Sequence, residues 1–304
     1  MRTIFIENSK KNQTVVSYIK SIYPNVPNSI IYKALRNKDI KLNDTRINVD
    51  KGVNFKDKLD IYISDTYLFN LPKNLEIVYE DENIFVVYKP QGILSNIEDF
   101  NEKDIHLIGG IEPTLESIVT SINADYKICH RLDRNTSGLV IFAKNSTSYE
   151  ELLKAFKEGY IKKEYIAYVS GAKFKEKHDI LEKYILKQQD GFSKIYDTKI
   201  NGSKKIITEY EVIHTNLKKD FAILKVFIHT GKTHQIRAQL ANISHPIIGD
   251  SKYGKNEINK KFKMYKQLLF AKEYTFEFCY TSPLFYLNDI AISLDENIYK
   301  NKIR

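Results

Sequence analysis

Apolar and polar positions change period along the chain, and each change marks an element. In "PNSIIYKALRNKDIKLN" the residues Ile30, Ile31, Ala34 and Leu35 recur at helical spacing on one face. Lys33, Arg36, Asn37 and Lys38 take the opposite face, and Asn28 or Ser29 is placed as N-cap. A short strand, "IKLN", follows, then a polar turn with Thr45 and Arg46. In "KLDIYIS", Leu59, Ile61 and Ile63 alternate with Asp60 and Tyr62, the period of a half-buried strand. Residues 67–75 contain Pro72 and read as a linker. "EIVYEDENIFVVYKP" holds two apolar runs around an acidic turn, which predicts a hairpin closed by Pro90. Residues 91–113 read as loop. "EPTLESIVTSI" predicts a helix with Pro113 near its start, and "TSYEELLKAFKEG" an amphipathic helix ended by Gly159. "KKEYIAYVSG" is a strand, and β-type segments dominate from 192 to 230. Many strands with a few interspersed helices predict an α+β fold: a small α/β domain over 1–66, a linker over 67–75, and a larger domain over 76–304 with a mixed, largely antiparallel sheet.

Composition adds limits. The 304 residues are 42% hydrophobic and 28% charged, ordinary for a globular chain long enough to bury a core without staples. The two cysteines, Cys129 and Cys279, form no metal-ligand or disulfide spacing. The N-terminus turns polar within a few residues, and no apolar run reaches membrane-spanning length. The expectation is a soluble cytoplasmic monomer.

Charge sharpens the picture. Net charge is +9, and residues 1–70 hold 12 Lys+Arg against 7 Asp+Glu, so more than half of the excess lies in the first quarter of the chain. Clustered cations of this kind suit nucleic acid, because phosphate contacts release counterions. Only seven of the 47 basic residues are arginine, and Arg131, Arg134 and Arg237 fall inside two motif-like segments. Where lysine serves for generic charge, an arginine points to a need for its planar, bidentate fork.

The most pointed of these segments is "HRLDRNTSGL" at 130–139, where Asp133 sits between Arg131 and Arg134 just before the apolar run "LVIFA". A guanidinium nearby favours the ionised carboxylate, whereas burial alone opposes it. A charged, oriented carboxylate is equipped for nucleophilic attack on an electrophilic carbon. Three other readings fail. "HTGKTH" lacks the first glycine of a phosphate-binding loop, the position being Val226. His229, His234 and His245 match no zinc-ligand spacing and read as structural or RNA-facing. Ser137, Asp133 and His130 on one short turn cannot assemble an acyl-transfer triad.

Two resemblances follow from these residues. "SIIYKALRNKDIKLNDTRI" with "KDKLDIYIS" resembles an S4-type RNA-binding domain, which implies that Lys33, Arg36, Lys38 and Arg46 track an RNA backbone. "HRLDRNTSGL", "KKEYIAYVSG" and "TGKTHQIRAQL…HPIIGDSKYG", with "YKPQG" and "GSKKIITEYEV" as flanks, resemble the motifs of pseudouridine synthases of the large ribosomal-RNA type. The likeness covers the chain, and its first part looks most like the branch that modifies large-subunit ribosomal RNA. It implies Asp133 as the nucleophile attacking a target uridine, Arg237 as its ion-pair partner, and Tyr165 as a ring that stacks on uracil and helps to remove a proton. Arg131 and Arg134 would face RNA phosphate or brace the loop. No metal, nucleotide or redox cofactor is implied. The implied partner is RNA, either 23S ribosomal RNA or a ribosome-assembly intermediate, with no membrane partner.

Asn135, Lys232 and Phe270 depart from the family pattern, as does "QGILSNIEDF", and these departures bear on substrate identity rather than on the reaction. Two alternatives stay open on the sequence: a transfer-RNA pseudouridine synthase, and a non-catalytic RNA-binding or ribosome-assembly protein.

Overall fold

The computed structural model describes residues 1–7, 10, 12–69, 71–72, 74–97, 110–188 and 191–303. Much of the loop expected over 91–113, and the end of "QGILSNIEDF", lie outside the described residues. The chain forms two units, one of residues 1–75 with 96–118 and one of residues 76–95 with 119–304. The sequence reading had placed all of 76–304 in one domain.

The first unit contains β1 (Arg2–Phe5), α1 (Val15–Ile22), α2 (Asn28–Arg36), β2 (Ile40–Leu42), β3 (Thr45–Ile47), β4 (Lys58–Ile61) and α3 (Asp65–Leu68). The strands form an antiparallel sheet in the order β1-β4-β2-β3. The helices cover it through Ile19, Ile31 and Leu35, which pack with Ile4, Ile40 and Leu59. The N-cap of α2 is Pro27 rather than Asn28 or Ser29; its φ of −65° already suits entry into a helix. Asp60, expected on the polar face of β4, is buried and accepts a 2.7 Å hydrogen bond from Thr3 Oγ1. Leu68, within the expected linker, is buried in this core. Arg2 explains why the segment around 111 belongs here, since its guanidinium bonds both Asp65 oxygens and the Ile111 carbonyl.

In the second unit the expected hairpin is β5 (Ile77–Glu80) and β6 (Ile84–Lys89). The helix after Pro113, which begins in the first unit, is α4 (Leu115–Thr120). There follow β7 (Lys127–Ile128), β8 (Ser137–Ala143), α5 (Ser146–Glu158), β9 (Ile161–Ser170), β10 (His178–Lys187), β11 (Ser193–Tyr196), β12 (Lys204–Asn216), β13 (Phe221–Ile228), α6 (Gln235–Asn242), α7 (Asn256–Phe262), β14 (Leu269–Phe276), β15 (Ile292–Ser293) and α8 (Glu296–Tyr299). The main sheet runs β11-β10-β12-β13-β9-β14-β8-β6-β5, with β15 beside β14 and β7 beside β8. Among the described residues only β14 with β8 is parallel, so the sheet is mixed and largely antiparallel, in an α+β fold.

Position along this sheet sets what each strand can be. β8, "SGLVIFA", lies deep in the sheet and is buried at every position, hence its unbroken apolar run. Its parallel pairing with β14 requires Gly138, because a Cβ there would stand 2.3 Å from the Ala271 carbonyl oxygen and φ is +132°. α5 starts at Asn145, whose side chain accepts from the Ser148 N–H, and stops at Gly159 in the left-handed region. No helix among the described residues is long and apolar enough to cross a membrane.

Candidate active site

β7 and β8 pair antiparallel, so residues 129–136 return the chain to the start of the buried strand β8. That return is braced along its length. Ser95 Oγ accepts from Leu132 N–H (2.9 Å) and donates to Leu132 O (2.8 Å). Arg134 O accepts from Gly92 N–H (2.8 Å) and from Lys89 Nζ (3.0 Å). Thr136 N–H turns back onto Asp133 O, and Thr136 Oγ1 accepts from Gln267 Nε2 at 2.7 Å. The backbone on either side of Asp133 is therefore held while its side chain stays 18% exposed, facing a cavity of about 510 Å³.

Arg237 comes from the first turn of α6, a helix with an unusually polar buried face. Gln235 and Gln239 are buried yet fully engaged: Gln235 Nε2 donates to Ile207 O and Thr208 Oγ1, and Gln239 bonds Thr208 Oγ1 and Leu181 O. These bonds fasten α6 to β10 and β12 and set the direction of Arg237. Its guanidinium is shared between two carboxylates. Nε and Nη2 donate to Asp250 at 2.7 and 3.0 Å, and Nη1 donates to Asp133 Oδ2 at 2.8 Å. Asp250 is fully buried and also accepts from the N–H groups of Lys252 and Tyr253.

The electrostatics follow from these contacts. Burial alone would lower the pKa of Arg237, but Asp250 and then Asp133 outweigh it, so the guanidinium is held more firmly charged than usual. Burial would raise Asp250, yet Arg237 and the two backbone donors hold its carboxyl below the usual range. Lys89, beneath the loop, is pushed down to about 7 by burial, with the Asp133 charge acting the other way. Tyr165 on β9 is 6% exposed and lines the cavity. Burial, and after it the Asp133 charge, raise its phenol, so it stays protonated.

Asp133, Tyr165 and Arg237 thus meet in one cavity. Arg131 is exposed and lines it too. Arg134 is exposed and anchored to the 89–92 segment through its carbonyl and a 3.4 Å bond from Nη1 to Gly92 O. The guanidinium bonded to Asp133 is that of Arg237, not of either flanking arginine. Lys33, Arg36, Lys38 and Arg46 are exposed in the first unit. Of the departures, Lys232 lines the cavity, whereas Phe270 is buried in the core of β14 and Asn135 is half-buried.

Sequence reasoning missed Asp250, Lys89 and His234. Asp250 and His234 stand in "HPIIGDSKYG" and "TGKTHQIR", where only the bonding pattern separates them from their neighbours. His229 bonds Glu209, and His245 stacks on Phe174 at 3.7 Å, as structural histidines do. Among the described residues no cluster of His, Cys, Asp and Glu could hold a metal ion.

A cavity with one pinned carboxylate, lined by cations that include Lys163 and Lys232, suits a polyanionic substrate. A family model described as RNA pseudouridylate synthase matches residues 83–242. The chain is 32% identical to an RNA pseudouridine synthase, otherwise uncharacterised, from Mycoplasma capricolum, across 96% of this chain and 97% of the relative. It is 31% identical to the ribosomal large subunit pseudouridine synthase C of Rickettsia bellii, across 88% of this chain and 90% of that protein. The fold is similar to that of human RNA pseudouridylate synthase domain containing 1, with a TM-score of 0.56 over 73% of this chain and 82% of the other, at 21% identity. The chain belongs to the RNA pseudouridine synthase family, and its activity is pseudouridine synthesis on RNA.

Proposed function

We propose that this enzyme isomerises specific uridines of large-subunit (23S) ribosomal RNA, free or in a ribosome-assembly intermediate, with Asp133 as nucleophile. The observation that carries the chemistry is the 2.8 Å bond that fixes Asp133 Oδ2 on Arg237 at the cavity wall. The ribosomal assignment draws on the relatives named for the large subunit, including that of Rickettsia bellii.

The target nucleotide leaves its stack to enter the cavity. The free oxygen of Asp133 attacks ribose C1′ (or, on a second route, the uracil ring), and the N-glycosidic bond breaks. The uracil turns within the cavity and rejoins C1′ through C5, releasing the carboxylate. N1 gains a proton and C5 loses one, so atoms and electrons balance without a redox partner. Arg237 aims the carboxylate and spreads its charge. Tyr165 offers its ring as a platform for the uracil; because its phenol is held protonated, stacking is favoured over the proton-removing role that the resemblance implied. Arg131 meets RNA phosphate at the rim, and Arg134 braces the loop.

Residues 1–66 serve as an S4-like RNA-binding domain and 76–304 carry the catalytic domain, apart from 96–118, which belongs to the first unit. Arg46 stacks over Tyr62 at 5.4 Å and bonds the Lys38 carbonyl, with Lys41 over the same ring at 5.7 Å. This cationic and aromatic patch, with Lys33 and Arg36 on α2, suits an RNA backbone. The enzyme works as a cytoplasmic monomer.

A pseudouridine map of RNA from cells lacking the gene, with wild-type and Asp133→Ala rescue, tests this reading. Loss of ribosomal sites restored only by the wild type is expected. Loss confined to transfer RNA overturns the substrate, and full rescue by the alanine variant overturns the mechanism in favour of a binding protein.

A further inference from the structure

A second chain of polar contacts leads into the cavity toward Asp133, and the steps above leave it unused. Ser193 N–H donates to the hydroxyl oxygen of Tyr253 at 2.6 Å. That hydroxyl lies 2.9 Å from His234 Nδ1. On the far edge of the same ring, His234 Nε2 is 3.9 Å from Asp133 Oδ2. The chain thus links the start of β11, the turn after Asp250 and the N-terminus of α6 to the carboxylate.

Two independent arguments place the imidazole proton on Nε2. The Tyr253 oxygen already accepts from Ser193, and the acceptor within reach of its own proton, among the described bonds, is His234 Nδ1. Nδ1 therefore accepts, and the ring proton sits on Nε2. The opposite tautomer would also aim an Nε2 lone pair at the Asp133 carboxylate, which is electrostatically unfavourable. Burial pushes the His234 pKa down to about 4; Asp133 and Asp250 act against that shift, while Arg237 and Lys252 act with it, so the ring is neutral near pH 7.

The backbone marks the same residue. His234 sits in the left-handed region, φ 59° and ψ 18°, as N-cap of α6 without a capping side-chain bond. Histidine enters this region more readily than most residues, still at a cost that its surroundings must cover. Here the side chain bonds Tyr253 and turns its other nitrogen toward Asp133 rather than capping the helix end.

We propose that His234 is a positioning residue for pseudouridine formation, locked by Tyr253 as the Nε2–H tautomer so that its N–H, together with Arg237, orients the Asp133 carboxylate. This deepens the function proposed above and rests on Asp133 being the nucleophile. At 3.9 Å the N–H stands about 0.7 Å beyond hydrogen-bond reach, a gap that closes as substrate fills the cavity, since catalytic bonds in free enzymes are often long.

The test uses the full chain with 15N-labelled histidine, His234 being assigned by its loss in His234→Asn, a residue that tolerates the left-handed backbone. Two-bond nitrogen–proton correlation should show the neutral Nε2–H tautomer in the wild type, and a shift toward Nδ1–H in Tyr253→Phe. Single-turnover pseudouridine formation on total RNA from cells lacking the gene should slow about tenfold in Tyr253→Phe, the scale of one lost hydrogen bond to a charged group, with unchanged half-saturation. His234→Phe should show the same split. An Nδ1–H ring in the wild type, or a wild-type rate in either variant, overturns the inference. Turnover by Asp133→Asn in the same assay overturns the nucleophile on which it rests, and is told apart because the tautomer is read without turnover.

Discussion

Arg237 gives Asp250 two of its three described hydrogen bonds and Asp133 only one. The buried carboxylate anchors the guanidinium, and the partly exposed one is aimed by it. Under the proposed function, stability and catalysis fall to different acids on one arginine, and variants should separate them.

Asp133→Asn should abolish pseudouridine formation while leaving RNA binding near wild type. Its unfolding free energy should change by less than about 1 kcal/mol, because Arg237 keeps its bidentate partner. Denaturant titration and a turnover assay on one preparation check both; a large loss of stability would contradict the division of roles.

Asp250→Ala strands a buried guanidinium, and should destabilise the protein by about 3–5 kcal/mol. Arg237→Lys replaces a fork with a point charge that cannot span both acids. Its single-turnover rate should fall on the order of 10²-fold, as for a catalytic group misplaced by about 1 Å. Kinetics within a factor of two of wild type would show that the pairing is incidental.

His130 offers a pH test. Its Nε2 accepts from Ile141 N–H at 3.1 Å, and the ring packs on Phe156 and Tyr274. Burial, and secondarily Lys163, push its pKa down to about 3. The unfolded chain therefore binds the proton first as pH falls, so the neutral ring's contribution is full above about 6.5 and is lost as pH drops toward the folded value. Unfolding midpoints from pH 7 to 4 should fall less steeply in His130→Phe than in the wild type. Parallel slopes would refute the neutral ring.

The patch around Tyr62 predicts a salt signature. Arg36→Ala and Arg46→Ala should each weaken RNA binding and reduce the slope of log affinity against log salt by about 1, without changing the rate at saturating RNA. An unaltered slope would remove the first unit from RNA contact.

Local pattern made much of this legible. The β5–β6 hairpin, α5 with its Gly159 stop, β9 and the buried run of β8 each announce themselves within a dozen residues, because period and turn chemistry are local. β10 went unread since "HDILEKYILK" is mostly exposed or half-buried, with only Leu181 and Ile185 buried and no clean alternation. β1 and α1 were passed over beside the stronger signal of α2.

The motifs, through the family resemblance they carry, pointed to Asp133, Tyr165 and Arg237 and to the kind of chemistry. Adjacency in the chain pointed to the wrong cation for the aspartate, and only the resemblance pointed to Arg237. Two arginines flank Asp133 in the chain, yet the one that bonds it lies 104 positions away. The sequence could not show that Asp250 aims that arginine, that Tyr253 sets the His234 tautomer, or that Phe270 belongs to the core. Periodicity reports which face of an element is buried; it carries no distance between elements. Hydrogen-bond partners depend on those distances to within a few tenths of an ångström, and only the packing of β8, β9, β14 and α6 around one cavity supplies them.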